Sequence, residues 1–385
     1  MRAASRPTLF YVVDWLPPDF GAVGQYGMLF AGRLAEQGRR VCLVGLTTGP
    51  ARVERRTFRD GGALEIRRVP AAACDKARRY RRLAWAVRAN LKLIGSVIGH
   101  PESRRSEVLF TGSPPFMLYF VLLVRAVRGA KLSYRITDFH PEVSIAESGR
   151  GPLLAALERI TWFVRRRVDA FEALGEDQRR LLVAGGIPPE LITLKRDVTP
   201  VEITGREMPA RVPRPLAAYK VLLYSGNYGV AHDADTAVEG LIRHHRAGSG
   251  RFGLWLNASG TKADDVARRL AAGGVPVAHT MSVGLDRLPA VLAAADVHLI
   301  TLRAGFAGYV LPSKVYACIA SRRPIAFVGP ADSDIHLLCA WAGLPYERIE
   351  PGDAVGFAEA LERLATPVER SAETATPKEF AGGIG

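Results

Sequence analysis

Short apolar runs that each stop at a loop and hand over to an amphipathic stretch recur along this chain, and that alternation leaves few folds open. TLFYVVDWL is strand-sized and ends at Pro17 and Pro18, DFGAVGQYG is a glycine-containing loop, an amphipathic segment covers about 28–37, and VCLVGL is a second buried strand. The unit repeats through VLFTG, a helix over about 116–127, KLSYRITD, a longer helix over about 153–167, and DAFEALG. Residues 199–218 break the pattern with Pro200, Pro209, Pro213 and Pro215 among small and polar residues, the composition of a linker. The alternation then restarts with KVLLYSG, a helix over about 233–244, FGLWLNASG, a helix over about 262–272, and VPVAHT. A helix over about 288–294, DVHLIT, the stretch FAGYVLPSK, PIAFVG and a helix over about 354–365 complete it. Two doubly wound α/β domains in tandem are expected: residues 1–198, a linker at 199–217, residues 218–366, and a disordered tail at 367–385.

A length of 385 residues points the same way, because a single core rarely grows so large. Cys42, Cys74, Cys318 and Cys339 have neither paired nor metal-ligand spacing and read as reduced, partly buried thiols of a cytosolic protein. The first apolar run is too short for a secretory signal. The longest, Phe116 to Val124, is about half of what a bilayer crossing needs, so no transmembrane segment is expected. The net charge of +14 is unevenly distributed: residues 1–200 hold 33 Lys and Arg against 19 Asp and Glu, whereas residues 201–385 hold 19 of each. Such segregation suggests a polyanionic partner facing the first half alone.

Ligands of open α/β sheets lie beyond the carboxyl ends of the strands, and three loops of the second half sit there. In YSGNYG, Gly226 and Gly229 let the backbone turn sharply while Asn227 offers donor and acceptor; a plain tight turn is the alternative. In NASGTK, Lys262 stands at the start of a helix, whose free amides and an adjacent ammonium suit an anion; a capped surface helix is the alternative. In FAGYVLPSK, Pro312 suits a first helical turn, Ser313 can cap it, and Lys314 sits where a cation opposes the helix dipole unless an anion shares the position. A lysine snorkelling into solvent is the competing reading. Three such loops in one domain favour a nucleotide or diphosphate site. Neither GxxxxGKS/T nor GxGxxG is present, which argues against an ATPase or a nicotinamide enzyme.

The segments YSGNYGVAHDADTAVEGL, DRLPAVLAAADVHLITLR and YVLPSKVYACIASRRPIAFVGP resemble the carboxyl-terminal domain of the retaining family 4 glycosyltransferases of GT-B fold, in particular the bacterial branch acting on colanic acid, O-antigen and other exopolysaccharides. PPDFGAVGQY is similar to that family's glycine loop, ITDFHPE to its D-x-x-P segment, and the similarity spans most of residues 8–350. The resemblance implies two Rossmann-like domains facing a cleft, the first for the acceptor and the second for a nucleotide sugar, UDP-linked by preference. By position it gives Gly21 and Gly24 to donor phosphate or sugar, Asn227 and Gly229 to the diphosphate, Lys262 and Lys314 to its charge, and Leu311, Pro312 and Ser313 to the loop beside the donor. The family's two glutamates, eight residues apart, fall at Tyr309 and Ala317. Asp332 and Asp334 are either the replacement carboxylate for donor binding or a solvated loop and helix cap.

Glycosyl transfer from such a donor needs leaving-group charge stabilised and an acceptor hydroxyl held close. No metal or other cofactor is expected, and His244-His245, splayed by helical geometry, read as surface residues. Asp138 and His140, after the strand KLSYRI, are the candidate catalytic groups, as general base or acceptor-orienting residue, with a turn-forming aspartate as the alternative. Across 76–98, Tyr80, Leu83, Val87, Leu91, Ile94 and Ile98 have the spacing of a core face. The opposite side carries Arg78, Arg81, Arg82, Arg88 and Lys92 with Trp85 and Leu93, a set suited to an anionic membrane surface, to which Arg165, Arg166 and Arg167 add. The expectation is a cytoplasmic enzyme, peripheral on the inner face of the plasma membrane, adding a sugar to a polyprenyl-diphosphate-linked glycan. A GT-B sugar-nucleotide epimerase and a non-catalytic GT-B scaffold are the alternatives; nucleic acid, for which no motif appears, ranks last.

Overall fold

The computed structural model describes residues 7–19, 22–73, 79–199, 201–260 and 262–365. Gly21, Cys74, Arg78 and the tail expected at 367–385 lie outside the described residues. The chain divides into two compact units. Residues 142–150 and 175–181, inside the stretch assigned to the first domain, pack with the second unit, which takes up the chain again at Lys195.

The first stretch of chain runs β1 (Leu9–Trp15), α1 (Ala22–Glu36), β2 (Arg40–Thr47), β3 (Arg52–Thr57), β4 (Ala63–Pro70), α2 (Arg79–Ile98), β5 (Glu107–Thr111), α3 (Met117–Arg128) and β6 (Lys131–Ile136). It continues through α4 (Glu142–Ser148), α5 (Pro152–Arg165), β7 (Ala170–Ala173), α6 (Glu176–Ala184) and β8 (Ile192–Leu194). The sheet order is β3-β4-β2-β1-β5-β6-β7-β8, parallel except for β3. β1 and β2 are apolar on both faces because helices cover both sides of the sheet centre. β3, RVERRT, was not legible as a strand: it is an exposed edge whose charged side chains discourage pairing with other chains.

Helix α2 is present, but its orientation differs from the expectation. Tyr80, Leu83 and Leu91 are 64%, 53% and 50% exposed, whereas Ala86, Ala89, Asn90, Leu93, Ile94 and Val97 are buried. Two alanines let α2 approach its neighbours closely, and Asn90 donates to the carbonyl of Pro115 at 2.7 Å, so a face of small residues wins over the leucine-bearing one. Leu93, expected among the basic residues, belongs to the core. Arg165 is also a correction. It is fully buried, with its guanidinium 4.9 Å from the ring of Phe139 and 4.6 Å from that of Trp162, and is not a surface charge.

The second unit contains β9 (Lys220–Asn227), α7 (Asp235–Ala247), β10 (Phe252–Ser259), α8 (Ala263–Ala272), β11 (Val277–Thr280), α9 (Leu288–Ala293) and β12 (Val297–Thr301). α10 (Lys314–Ala320), β13 (Ile325–Val328), α11 (Asp334–Trp341), β14 (Tyr346–Ile349) and α12 (Ala354–Ala365) follow. The parallel order is β11-β10-β9-β12-β13-β14, so the first strand of the unit lies in the middle and the chain reverses its winding between β9 and β12. The proline-bearing segment is not a free tether: Ile203, Ala210 and Val212 pack beside Leu216 on an apolar cluster of this unit, and Ala210 N–H donates to Ala290 at 2.8 Å. His244 is fully buried, which corrects the surface assignment. Its Nδ1 is 2.9 Å from Glu362 on α12, its Nε2 accepts from Phe252 N–H, and His245 donates to the Phe252 carbonyl, so the pair joins α7 to its neighbours.

Asp334 is wholly enclosed and every contact is internal to this unit. Arg196 reaches its two oxygens at 2.8 and 3.0 Å, Glu176 N–H donates to it at 2.9 Å, and its own N–H donates to Asp177 at 3.0 Å. Ser333, not Asp334, caps α11, and Asp332 is exposed. With both oxygens engaged, Asp334 is a structural group that fastens the chain after β8 to the second unit, and it is not offered to a ligand. Asp334→Ala is expected to strip Arg196 of its buried carboxylate and to lower the unfolding free energy by about 3–5 kcal/mol, read from urea denaturation.

Candidate functional site

In the second unit the carboxyl ends of β10, β9 and β12 lie side by side, which brings the three singled-out loops together at the reversal of winding. The first two are locked to each other: Ser259 pairs with Asn227, Tyr228 N–H donates to Ser259, and Lys262 N–H donates to Tyr228. Gly260, at φ +119°, makes this possible, since a Cβ there would stand 2.5 Å from Asn227 Oδ1. Asn227 is exposed at the tip, Gly229 beside it is half-buried, and Lys262 is half-buried at the start of α8. In the third loop Leu311 and Pro312 are buried and Ser313 is half-buried. Ser313 does not cap α10 with its side chain, because its backbone is already helical and its hydroxyl is not directed at the orphan amides.

Beneath the turn after β9 lies an aromatic floor. Tyr224 and Tyr228 are buried with ring centroids 4.3 Å apart, and His232 meets both edge-on. Tyr224 donates to the Asn227 carbonyl and Tyr228 to that of Asp233, which fixes the turn from below. His232 Nδ1 donates to Thr301 at 2.8 Å, so the proton of the neutral ring is on Nδ1. Burial, and after it the charge of Lys314, pulls the pKa of His232 down to about 3. Lys314 Nζ lies over the Tyr224 ring, 3.4 Å from its centroid. Tyr224 and His232 open and close the YSGN-x-G-x-AH segment, but sequence reasoning gave neither a role.

In the first unit the winding reverses between β1 and β5, and a hydrogen bond marks the place: Ser113 Oγ donates to Asp14 at 2.9 Å. Burial raises the pKa of Asp14, with the Ser113 hydroxyl and backbone amides including Gly24 working against the shift. Gly24 is explained by packing, because a Cβ there would fall 1.8 Å from the Trp15 carbonyl oxygen. Asp138 follows the adjacent strand β6 and is partly exposed, yet burial raises its pKa while His140 draws it down. His140 is exposed. Asp14 and Ser113 were not singled out from sequence; the apolar run around Asp14 hid it.

Among the described residues one group has metal-ligand chemistry, Cys42, Glu65 and His100, with ligand atoms within 4.8 Å of one another. Its hydrogen bonding opposes a cation. Glu102 N–H donates to His100 Nδ1, which leaves the proton on Nε2 facing Glu65, while Arg55 and Arg67 hold Glu65 at 2.8 and 3.0 Å. Cys42, Cys318 and Cys339 are free, buried thiols. Of the expected membrane-facing residues, Arg81, Arg82, Arg88 and Lys92 are exposed. Trp85 is half-buried, stacked on Trp15 at 5.9 Å and donating to the Ala72 carbonyl.

No protein-family model matches the chain. Over 281 residues, 68% of this chain and 67% of the relative, it is 24% identical to a probable glycosyltransferase, WbjE, of Pseudomonas aeruginosa. Among solved structures it is similar to a UDP-forming α,α-trehalose-phosphate synthase from Burkholderia vietnamiensis, with a TM-score of 0.63 at 11% identity over 94% of this chain and 92% of that one. It is also similar to WaaG, a glycosyltransferase involved in lipopolysaccharide biosynthesis, with a TM-score of 0.56 at 17% identity over 94% and 90%. The fold is that of the GT-B structures. Two Rossmann-like parallel sheets, the expected architecture, are present.

His232 and His298 give the second unit a pH dependence. His298, enclosed in β12 and bonded to Ser321, is pulled down to about 3 by burial and then by Arg323. Both rings fold uncharged, so their contribution is complete above about pH 6.5 and is lost as pH falls from there toward about 3. Each is expected to remove about 1.4 kcal/mol of stability per pH unit in that window. Urea titrations at pH 6.5 and 5 should therefore differ less in His298→Gln than in the parent chain.

Proposed function

We propose that this protein is a glycosyltransferase that moves a sugar from a nucleotide diphosphate, UDP by preference, to a lipid-linked glycan in the synthesis of a bacterial surface polysaccharide. The convergence of the three loops of the second unit at its reversal of winding, over the enclosed Nζ of Lys314, carries this reading. The similarity to the probable glycosyltransferase WbjE supports it, as do the YSGN-x-G-x-AH and PSK-x-Y segments at the positions described. In this reading Asn227 and Gly229 receive the diphosphate, Lys262 and Lys314 supply positive charge to the leaving group, and Leu311, Pro312 and Ser313 border the donor. Metal-independent transfer with retention follows the same resemblance. Asp138, whose raised pKa suits a group that accepts a proton and then gives it up, orients or deprotonates the acceptor, with His140 beside it.

The basic half receives a membrane role in the same proposal. Arg81, Arg82, Arg88 and Lys92 surround the exposed Tyr80, Leu83 and Leu91 on α2. α3, which packs on α2, exposes Leu123 and Val127, and α5, which packs on α3, exposes Ile160 and Phe163. Apolar side chains ringed by cations fit the headgroup layer of an anionic leaflet, where a polyprenyl-linked acceptor resides. No described helix is long and apolar enough to cross a membrane.

Thermal shift against UDP, GDP, dTDP and their sugars tests the donor site, and stabilisation by at least one is expected. Incubation of that sugar nucleotide with a polyprenyl-diphosphate-linked glycan should then give transfer that depends on the acceptor. Turnover without acceptor would identify an epimerase, and binding with no turnover a scaffold. Asp138→Asn is expected to lower kcat by about 10²-fold or more with nucleotide stabilisation unchanged. Vesicles containing phosphatidylglycerol should retain the protein at low salt and release it at high salt, and the quadruple change of Arg81, Arg82, Arg88 and Lys92 to Gln should abolish retention. Equal retention on neutral vesicles would refute the electrostatic contact.

A further inference from the structure

Lys314 is an anomaly within the second unit. Its Nζ is enclosed and has no hydrogen-bond partner among the described residues. The Tyr224 ring face is 3.4 Å away, and a Cβ at Gly226 would stand 3.7 Å from Nζ, so a glycine turn is the cover on that side. The titratable groups recorded against it, Tyr224 of β9, His232 after the turn and Cys318 of α10, offer no counter-charge. The elements packed on α10 carry His298 in β12 and Cys339, His336 and Asp334 in α11. His336 is bonded to Tyr346 and Asp334 to Arg196, and the Cys318 thiol is pushed up to about 12 by burial. Burial draws the pKa of Lys314 down to about 7. An aromatic face offsets only part of the cost of an enclosed ammonium, and methionine would fill the same space without that cost.

We propose that in mildly alkaline solution Lys314 is an uncharged amine while the turn above it is empty and takes a proton from solvent when a diphosphate settles over Gly226. The inference rests on the nucleotide-sugar reading of these loops and adds what binding does to the charge of this residue. Nζ gains one proton as the phosphate oxygens arrive, and departure of the nucleoside diphosphate returns it. Binding is therefore coupled to hydrogen-ion uptake. At pH 8 uptake approaches one proton per ligand, and at pH 6, where the amine is already charged, it is close to zero. Above about pH 7 the affinity falls about tenfold per pH unit.

Calorimetric titration of the full chain with UDP and with GDP, both fully ionised at pH 8, in two buffers of different ionisation enthalpy at that pH, measures the uptake directly. About one proton per ligand is expected, with none in Lys314→Met, whose residual affinity should not vary between pH 7 and 9. Binding without uptake, or uptake that persists in Lys314→Met, overturns the inference and leaves the nucleotide reading standing. If neither probe nor any other nucleotide diphosphate binds, both fall. The unliganded chain gives a separate test. An amine held uncharged makes Lys314→Met more thermostable than the parent at pH 7, by several degrees, with the gap closing as pH rises toward about 10.5. Identical Tm values across that range would also overturn the inference.

Discussion

Parallel pairing of β9 with β10 on one side and β12 on the other is the constraint on which the second unit depends. The first strand laid down becomes the central one, and later strands are added on either side, so the winding reverses between β9 and β12. Backbone groups at those ends cannot all be satisfied by the ladder, and the chain compensates locally. Tyrosine hydroxyls brace the turn from below, and amides of the next loop hold it from the side. The rigidity of the Asn227 turn is a consequence of sheet order, and the composition of the loop only makes it sterically possible.

The first unit repeats the arrangement with different chemistry. At its own reversal the neighbouring strand ends are joined by a serine-to-aspartate bond, and a second carboxyl follows one strand further along. One sheet therefore gathers cations and amides at the strand ends of its reversal, the other carboxyls and a histidine. Under the proposed function that division matches a phosphate leaving one reactant and a hydroxyl of the other losing its proton.

Periodicity made most of the architecture readable, because strands covered on both faces are uninterrupted apolar runs and α12 has a clean amphipathic stripe. It failed where chemistry and packing depart from that rule. β3 is a charged edge, α2 buries alanines and an asparagine in preference to leucines, and His244 and Arg165 are polar groups enclosed by partners distant in sequence. The placement of Lys262, Lys314 and Asn227 beyond strand ends was legible because loops there announce themselves. Asp14 was not, because nothing in a single sequence distinguishes a carboxyl that ends a strand at the reversal from one that merely ends a strand, and Tyr224 and His232, though inside the quoted turn segment, received no role. Asp334 shows the opposite error: a carboxylate in a singled-out loop, spent on Arg196 and the Glu176 amide.

The allotment of residues 142–150 and 175–181 to the second unit means that the polypeptide changes allegiance several times before it reaches Lys195. Cutting the gene at the proline-rich segment would thus not yield two self-sufficient halves. The upstream fragment would carry off α4 and the start of α6, and the downstream fragment would keep Asp334 without the Glu176 amide and the Asp177 carboxylate that meet it. Each lobe is covalently complete only in the presence of the other, which makes joint synthesis and folding a property of the whole chain.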